Sequence, residues 1–112
     1  MSIQNADYTN INLDEMAASI GLKAKHMPML IGSFIEESSE VLLALKIAVE
    51  ENDFEGIKSC AHSIKGSAGN LKFNELYEMS REMEVNAVDE NSDFEYKKYF
   101  DAIQAAFSTI PN

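Results

Sequence analysis

Residues 61–71 read AHSIKGSAGNL, a stretch that combines the apolar spacing of a helix with two glycines that weaken one. At about 100° per residue, Ile64 and Leu71 fall on one side of such a helix, together with Ile57 from the preceding turns. His62 falls at the centre of the opposite side. The stretch therefore predicts an amphipathic helix that buries its apolar residues in a core and holds a histidine toward solvent.

The rest of the chain carries the same helical periodicity, and no long run alternates apolar and polar residues as a strand does. The predicted helices cover about residues 12–20, 26–51 and 53–70, with two more that begin near 74 and at 92 or 93. Their connections are only a few residues long, which makes neighbouring helices antiparallel. We therefore predict an all-α fold, an antiparallel up-and-down four-helix bundle with a short additional N-terminal helix. Residues 1–10 are predicted to be a flexible segment, and residues 11–112 the bundle domain.

Residues at the ends of the predicted helices support these limits. Asn12 can cap the first helix, and Asn52 or Asp53 can cap the third. Pro28 suits the first turn of the long second helix, and Gly21 ends the first one.

The composition limits the range of functions. The 112 residues include 19 acidic and 9 basic groups, and the net charge of −10 argues against binding to nucleic acid or to an anionic membrane surface. Cys60 is the single cysteine, so no intrachain disulfide can form, which fits a reducing compartment. No segment reaches the ~18 consecutive apolar residues of a transmembrane helix, and the N-terminus does not resemble a signal peptide. We expect a single domain in the cytoplasm.

Two lysines fall on the same side of the predicted helix as His62. Lys58 and Lys65 lie at about −40° and −60° from it, and no carboxylate of this helix lies within one turn of the histidine on that side. A neutral imidazole is a good nucleophile near physiological pH. A phosphoryl group attached to it would carry about two negative charges, which these lysines could offset. A surface histidine that is merely solvated fits the same spacing, and the spacing alone leaves both interpretations open.

Gly66 and Gly69 also fall on the His62 side, where core packing gives no reason to omit a side chain. Each glycine in a helix interior costs about 1 kcal/mol relative to alanine. We therefore expect another macromolecule to approach the backbone closely here. On the second helix, Leu43 and Ile47 fall outside the stripe of apolar residues that faces the core.

The stretch resembles the signature of histidine-containing phosphotransfer (HPt) domains, which runs His, any residue, Leu or Ile, Lys, Gly and then small residues. The matching positions are His62, Ile64, Lys65, Gly66, Ser67 and Ala68. The resemblance extends over most of the chain, and it is greatest to the HPt modules that end hybrid sensor kinases of the anaerobic-response type. Lys72 departs from the pattern, because the family commonly has a glycine there, and it raises a question about the turn after the histidine helix.

The resemblance implies a phosphorelay, in which a phosphorylated aspartate of a response-regulator receiver domain passes its phosphoryl group to His62 and a second receiver takes it from there. It implies that His62 is the phosphoacceptor and that Lys65, with Lys58 as a weaker candidate, stabilises the phosphoryl charge. The receiver-docking residues would be Gly66, Gly69, Ser59, Leu43 and Ile47. For Leu43 and Ile47, contact with another helix is an equally open alternative. The protein would be a monomeric phosphocarrier without its own ATP-dependent kinase activity, cofactor or metal, and a hybrid sensor histidine kinase is a further candidate partner.

Two other functions stay open. The same bundle could dock a receiver or a partner helix without transferring phosphate, although binding alone would not require the combination of His, Lys and Gly. A dimerising histidine-kinase hairpin would need a proline soon after the histidine, where this chain has Ser67 and Ala68. His26 stands at the start of the second predicted helix and is predicted to be a capping or surface residue. We do not expect it to bind a metal with His62, because no paired metal-ligand spacing such as HExxH or CxxC occurs.

Overall fold

The computed structural model describes residues 3–111 of the chain, which are helical and contain no strand. The helices are α1 (Leu13–Ser19), α2 (Met27–Glu50), α3 (Phe54–Asn70), α4 (Asn74–Val88) and α5 (Tyr96–Ser108), and a single 3₁₀ turn, Ala24–His26, leads into α2. The predicted all-α class is confirmed. The first four helices have limits close to the predicted ones, whereas α5 begins several residues later than predicted.

Side-chain hydrogen bonds explain the late start of α5. The Asp93 backbone N–H donates to Asn91 Oδ1 at 3.1 Å, and the Tyr96 hydroxyl donates to the Asn91 carbonyl at 2.8 Å. Such local bonds offer the backbone an alternative to the helix. Phe94 is buried in this loop with its ring against those of Tyr96 and Tyr99. The loop is therefore anchored in the core, and Phe94, which falls within the predicted fifth helix, belongs to the loop instead.

The predicted caps are in place at the starts of α1 and α3. Asn12 Oδ1 accepts a hydrogen bond from the Glu15 backbone N–H at 3.1 Å, and Asp53 Oδ1 accepts one from the Gly56 backbone N–H at 3.1 Å. Each cap satisfies one of the amide groups that a helix start leaves without a partner. Asp53 thus fixes the first residue of the helix that carries the histidine.

The first four helices end in the same way, with a residue in the left-handed region. These residues are Gly21, Asn52, Lys72 and Glu90. After α3, the Phe73 backbone N–H donates to the Ala68 carbonyl at 2.9 Å and the Lys72 N–H to the Gly69 carbonyl at 3.2 Å, the pair of bonds typical of a Schellman motif. The turn therefore forms with a lysine where a glycine is common, and Lys72 adopts a φ of 63° at a cost of about 1 kcal/mol.

The four long helices enclose one hydrophobic core. α2 contacts α3 and α5, and α4 contacts the same two helices, so the four form a closed ring. At the core, the Phe34 ring stacks between those of Phe73 and Phe107, with centroid distances of 5.3 and 5.2 Å. α3 and α4 are antiparallel, because Gly69 near the end of α3 lies against Tyr77 near the start of α4, whereas His62 in the middle of α3 contacts Glu84 farther along α4. The direction of the remaining pairs stays a prediction from their short connections.

The N-terminal segment contacts the bundle through Tyr8. Its hydroxyl donates to Glu75 at 2.8 Å, its backbone N–H donates to Thr109 Oγ1 at 2.8 Å, and its ring packs edge-on against Phe73. The prediction of a flexible segment over residues 1–10 does not account for these contacts, and its first two residues lie outside the described part of the chain. The limits of the bundle domain stay a prediction.

Candidate functional site

His62 lies in the middle of α3 on the side that faces solvent. The opposite side of the helix packs into the core through Ile57, Ala61 and Ile64, each of which is almost completely buried. The His62 side chain is 67% exposed. The core therefore fixes the rotation of α3 about its axis, and this rotation leaves the imidazole accessible.

Glu84 of α4 joins His62 to Lys65. One carboxylate oxygen, Oε2, lies 2.8 Å from His62 Nδ1, and the other, Oε1, lies 2.8 Å from Lys65 Nζ. The Glu84 side chain is only 17% exposed and that of Lys65 only 25%. The three side chains form a cluster across the α3–α4 contact, which we call the Glu84 bridge.

The charge state of Glu84 decides which nitrogen of His62 carries the proton. Burial raises the pKa of the Glu84 carboxyl, but hydrogen bonds from Lys65 and His62 outweigh it, and the pKa lies below its ordinary value. An ionised carboxylate can only accept hydrogen bonds. Nδ1 must therefore donate, and in the neutral imidazole the lone pair remains on Nε2, the nitrogen that Glu84 does not contact.

Glu84 is the residue that sequence reasoning missed. The prediction that no carboxylate lies within one turn of His62 on its side of the helix holds along α3, but α4 brings one against the imidazole. A helical wheel describes one helix at a time, whereas this contact depends on how α3 and α4 are aligned. The available signal was the position of Glu84 directly after Met83, at the border of the apolar stripe of α4.

The two predicted lysines have different partners. Lys65 pairs with Glu84 on the neighbouring helix, whereas Lys58 Nζ pairs with Glu55 Oε2 at 3.1 Å on its own helix. Glu55 lies on the exposed surface, and exposed pairs of this spacing contribute only about 0.2–0.5 kcal/mol. Lys58 is therefore held more loosely than Lys65.

The two glycines beside His62 also differ. A Cβ atom at Gly66 would meet nothing within 4 Å, whereas one at Gly69 would lie 3.2 Å from the Tyr77 ring of α4. The expectation that core packing gives no reason for either glycine is therefore wrong for Gly69, because the missing side chain lets α3 and α4 approach. At Gly66 no contact within the chain explains the glycine.

The other predicted docking residues lie on exposed surface. Ser59 is exposed on α3. On α2, the exposed fraction is 62% for Leu43 and 47% for Ile47, so contact with another helix of the bundle does not account for these two side chains. Exposed apolar side chains of this kind fit a surface that a partner covers.

Two further observations limit the chemistry of the described residues. Between residues 3 and 111, no three His, Cys, Asp or Glu side chains are grouped so that they could hold a metal ion. None of the helices in this range is long and apolar enough to cross a membrane.

Comparison with known proteins identifies one family. The family model described as "Hpt domain" matches residues 29–107, which contain all of α3 and α4 and most of α2 and α5. No curated protein and no solved structure matches the chain.

Proposed function

The chain belongs to the Hpt domain family, and from this premise we propose that His62 accepts a phosphoryl group from one receiver aspartate and passes it to another. Hpt domains serve histidine phosphotransfer in two-component systems. The observation that carries the assignment to this residue is an exposed imidazole whose Nδ1 is held by Glu84, so that Nε2 keeps a free lone pair.

The transfer step needs only one nucleophile from this chain. The Nε2 lone pair forms a bond to phosphorus while the bond between phosphorus and the aspartyl oxygen breaks, and the aspartate leaves as a carboxylate. The proton on Nδ1 stays in its hydrogen bond to Glu84 and no proton has to move. Phosphoryl transfer depends mainly on in-line positioning and charge stabilisation, which suits a surface that holds the imidazole in one orientation.

Charge stabilisation by this chain falls first to Lys65. It lies one turn after His62 on α3, and residues three positions apart on a helix are neighbours. Its stem has four carbons, so the ammonium group can reach a phosphoryl group on Nε2. Lys58 is the second candidate, although it is held by Glu55 at rest.

The docking surface that we propose extends from His62 over Gly66 and Ser59 to Leu43 and Ile47 on α2. Gly66 supports it, because an exposed helical glycine without a neighbour allows another backbone to come close. Leu43 and Ile47 would supply the apolar part of the interface. Gly69 contributes indirectly, since its contact with Tyr77 sets the distance between α3 and α4.

The remaining parts of the proposal follow from the family. Hpt domains are phosphocarriers, and the sequence has no GxxxxGK[ST] nucleotide loop, so we propose that this chain has no ATP-dependent kinase activity of its own. Its partners would be receiver domains, with a hybrid sensor kinase as one donor, and its place of action the cytoplasm. The four long helices close a core within one chain, which supports action as a monomer.

The decisive experiment is phosphotransfer from a phosphorylated receiver to the native protein and to His62→Gln. We expect the native protein to acquire phosphate that is labile in acid and stable in base, and His62→Gln to acquire none while its circular dichroism spectrum is unchanged. His26→Gln is the matched control, because it removes the other histidine, which is also exposed, and it should label normally.

Retention of label in His62→Gln would overturn the assignment of His62. If receivers bind the native protein and leave no label on it, the module docks without phosphotransfer, and binding should then survive His62→Gln. Phosphotransfer profiling against the receivers of one organism would in addition identify the partners and the direction of transfer.

A further inference from the structure

We propose that Glu84 and a phosphoryl group on His62 compete for Lys65, so that Glu84 limits how much phosphate the histidine retains at equilibrium. This inference rests on the proposed function, and it adds a positioning residue that sets the phosphoryl balance between this protein and its receivers. Glu84 would therefore favour return of the phosphoryl group to a receiver over its retention on His62.

The Glu84 bridge has one cation for two anionic sites. In the resting protein, Glu84 Oε1 holds the Lys65 ammonium group at 2.8 Å, and Oε2 holds the His62 ring at 2.8 Å. A phosphoryl group on Nε2 would bring about two further negative charges to the same place. Lys65 is the one cation of the bridge, because Lys58 is paired with Glu55 and lies on the other side of His62 along the helix.

Phosphorylation leaves the contact between Glu84 and Nδ1 in place. The new bond forms at Nε2, the aspartate takes the electron pair of the bond that breaks, and the Nδ1 proton continues to donate to Oε2, so the ring itself carries one positive charge in the product. The negative charge of Glu84 therefore stays on the far side of the ring from the phosphoryl group. Any movement of Lys65 toward the phosphoryl group has to break its contact with Oε1, and this loss opposes phosphorylation.

Glu84→Gln separates the two roles of the carboxylate. The amide has the same shape and keeps a carbonyl oxygen that can accept from Nδ1, so the orientation of the ring is preserved. It has no charge to hold Lys65, which becomes free to pair with the phosphoryl group. Removal of a partly exposed ion pair changes an equilibrium by up to about 1 kcal/mol, which corresponds to a factor of about five.

The test measures the equilibrium constant for phosphoryl exchange with one receiver, approached from both directions. We expect Glu84→Gln to shift this constant about threefold to fivefold toward the phosphorylated histidine. In the Lys65→Met background the same substitution should no longer shift the constant toward the phosphorylated histidine, because no lysine is left to be released. Glu78→Gln is the matched control, since it removes a carboxylate of the same helix that pairs with Arg81 and does not contact His62.

A shift of equal size with and without Lys65 would overturn the competition, as would an equilibrium constant that Glu84→Gln does not change. A purely structural role for Glu84 predicts loss of labelling or of folding in Glu84→Gln, without dependence on Lys65. If Glu84→Gln does not fold, the native protein still provides a test. Its Glu84 carboxyl ¹³C resonance should move when His62 is phosphorylated, and an unmoved resonance would show that Lys65 never leaves.

Failure of this inference can be told apart from failure of the proposed function. If native protein acquires no phosphate on His62, the proposed function fails and the competition fails with it. The four proteins of the cycle are the native protein, Glu84→Gln, Lys65→Met and the double variant. If His62 is labelled and their exchange constants show no coupling between Glu84 and Lys65, only the competition fails.

Discussion

A helical wheel places one glycine on each flank of His62, and the two flanks differ in the folded protein. On the flank toward α4, Lys65 and Gly69 are engaged by Glu84 and Tyr77. On the flank toward α2, Gly66 has no neighbour within 4 Å and Ser59 is exposed. We call the first the closed flank and the second the open flank. The first is packed by the protein itself, whereas no described residue packs against Gly66 on the second.

The difference shows that the helical wheel of α3 alone does not identify which residues beside His62 contact a neighbouring helix. A glycine occurs on each side of the histidine, but only contacts with α4 show which of the two acts within the fold. The closed flank fixes the imidazole, because Glu84 holds Nδ1. The open flank has no such function within the chain, so its glycine is the better indication of an intermolecular contact.

The largest expected effect comes from adding the same side chain on each flank. Gly69→Leu would push into the Tyr77 ring, and overpacking of this kind costs about 1–3 kcal/mol, of which about 0.8 kcal/mol is regained as helix propensity. A Cβ atom at Gly66 meets nothing within 4 Å, so Gly66→Leu should raise the free energy of unfolding by about 0.8 kcal/mol, the difference in helix propensity. Phosphotransfer from a receiver should nevertheless fall about tenfold or more in Gly66→Leu, a loss of about 1.4 kcal/mol of transition-state stabilisation.

Urea denaturation and initial rates of labelling measure the two halves of this prediction. Equal stability effects of the two substitutions would remove the distinction between the flanks. Normal phosphotransfer by Gly66→Leu would place the docking surface elsewhere. Gly66→Ala provides an intermediate case, since a methyl group blocks an approaching backbone less than a leucine does.

The all-α class and the exposure of His62 could be predicted from the sequence for the same physical reason. The spacing of Ile57, Ile64 and Leu71 fixes which side of α3 is buried, and the exposure of His62 follows from that. The caps at Asn12 and Asp53 were readable because capping is a local interaction. The start of α5 was not, because it depends on hydrogen bonds of the Asn91 side chain and of the Tyr96 hydroxyl that compete with the helix.

The contacts that could not be predicted from the sequence are those between α3 and α4, because they depend on how the two helices are aligned. Glu84 and Tyr77 reach α3 only because α4 runs antiparallel to it in one particular register, which is a property of the packed core. The tertiary contact then changes the meaning of Gly69, from a possible docking position to a packing position. Lys72 stands where the HPt family commonly has a glycine, and it adopts the left-handed backbone conformation that the turn requires.

Acid should weaken the closed flank and leave the open flank unaffected. The pKa of Glu84 is lowered in the folded protein by Lys65 and His62, despite the opposing effect of burial, so its stabilising contribution is present above the ordinary carboxyl value of 4.5 and is lost as the pH falls through the folded value. The difference in unfolding free energy between native protein and Glu84→Gln should therefore shrink as the pH falls below 4.5. Chemical denaturation of both proteins at a series of pH values measures it, and a difference that stays constant down to pH ~3 would contradict the ion pairs of the Glu84 bridge.

The smallest expected effect concerns Lys58, and it tests whether a lysine matters for its position on the wheel or for its partner. Lys58→Met removes an exposed pair with Glu55, so the free energy of unfolding should change by less than about 0.5 kcal/mol. Lys65→Met leaves a largely buried carboxylate with His62 as its one remaining partner, and it should cost about 1 kcal/mol or more. Labelling by a receiver should fall more in Lys65→Met than in Lys58→Met, because only Lys65 is positioned by the closed flank. Equal losses of stability and labelling in the two variants would mean that the lysines act through charge alone, and that the contact with α4 adds nothing to the site.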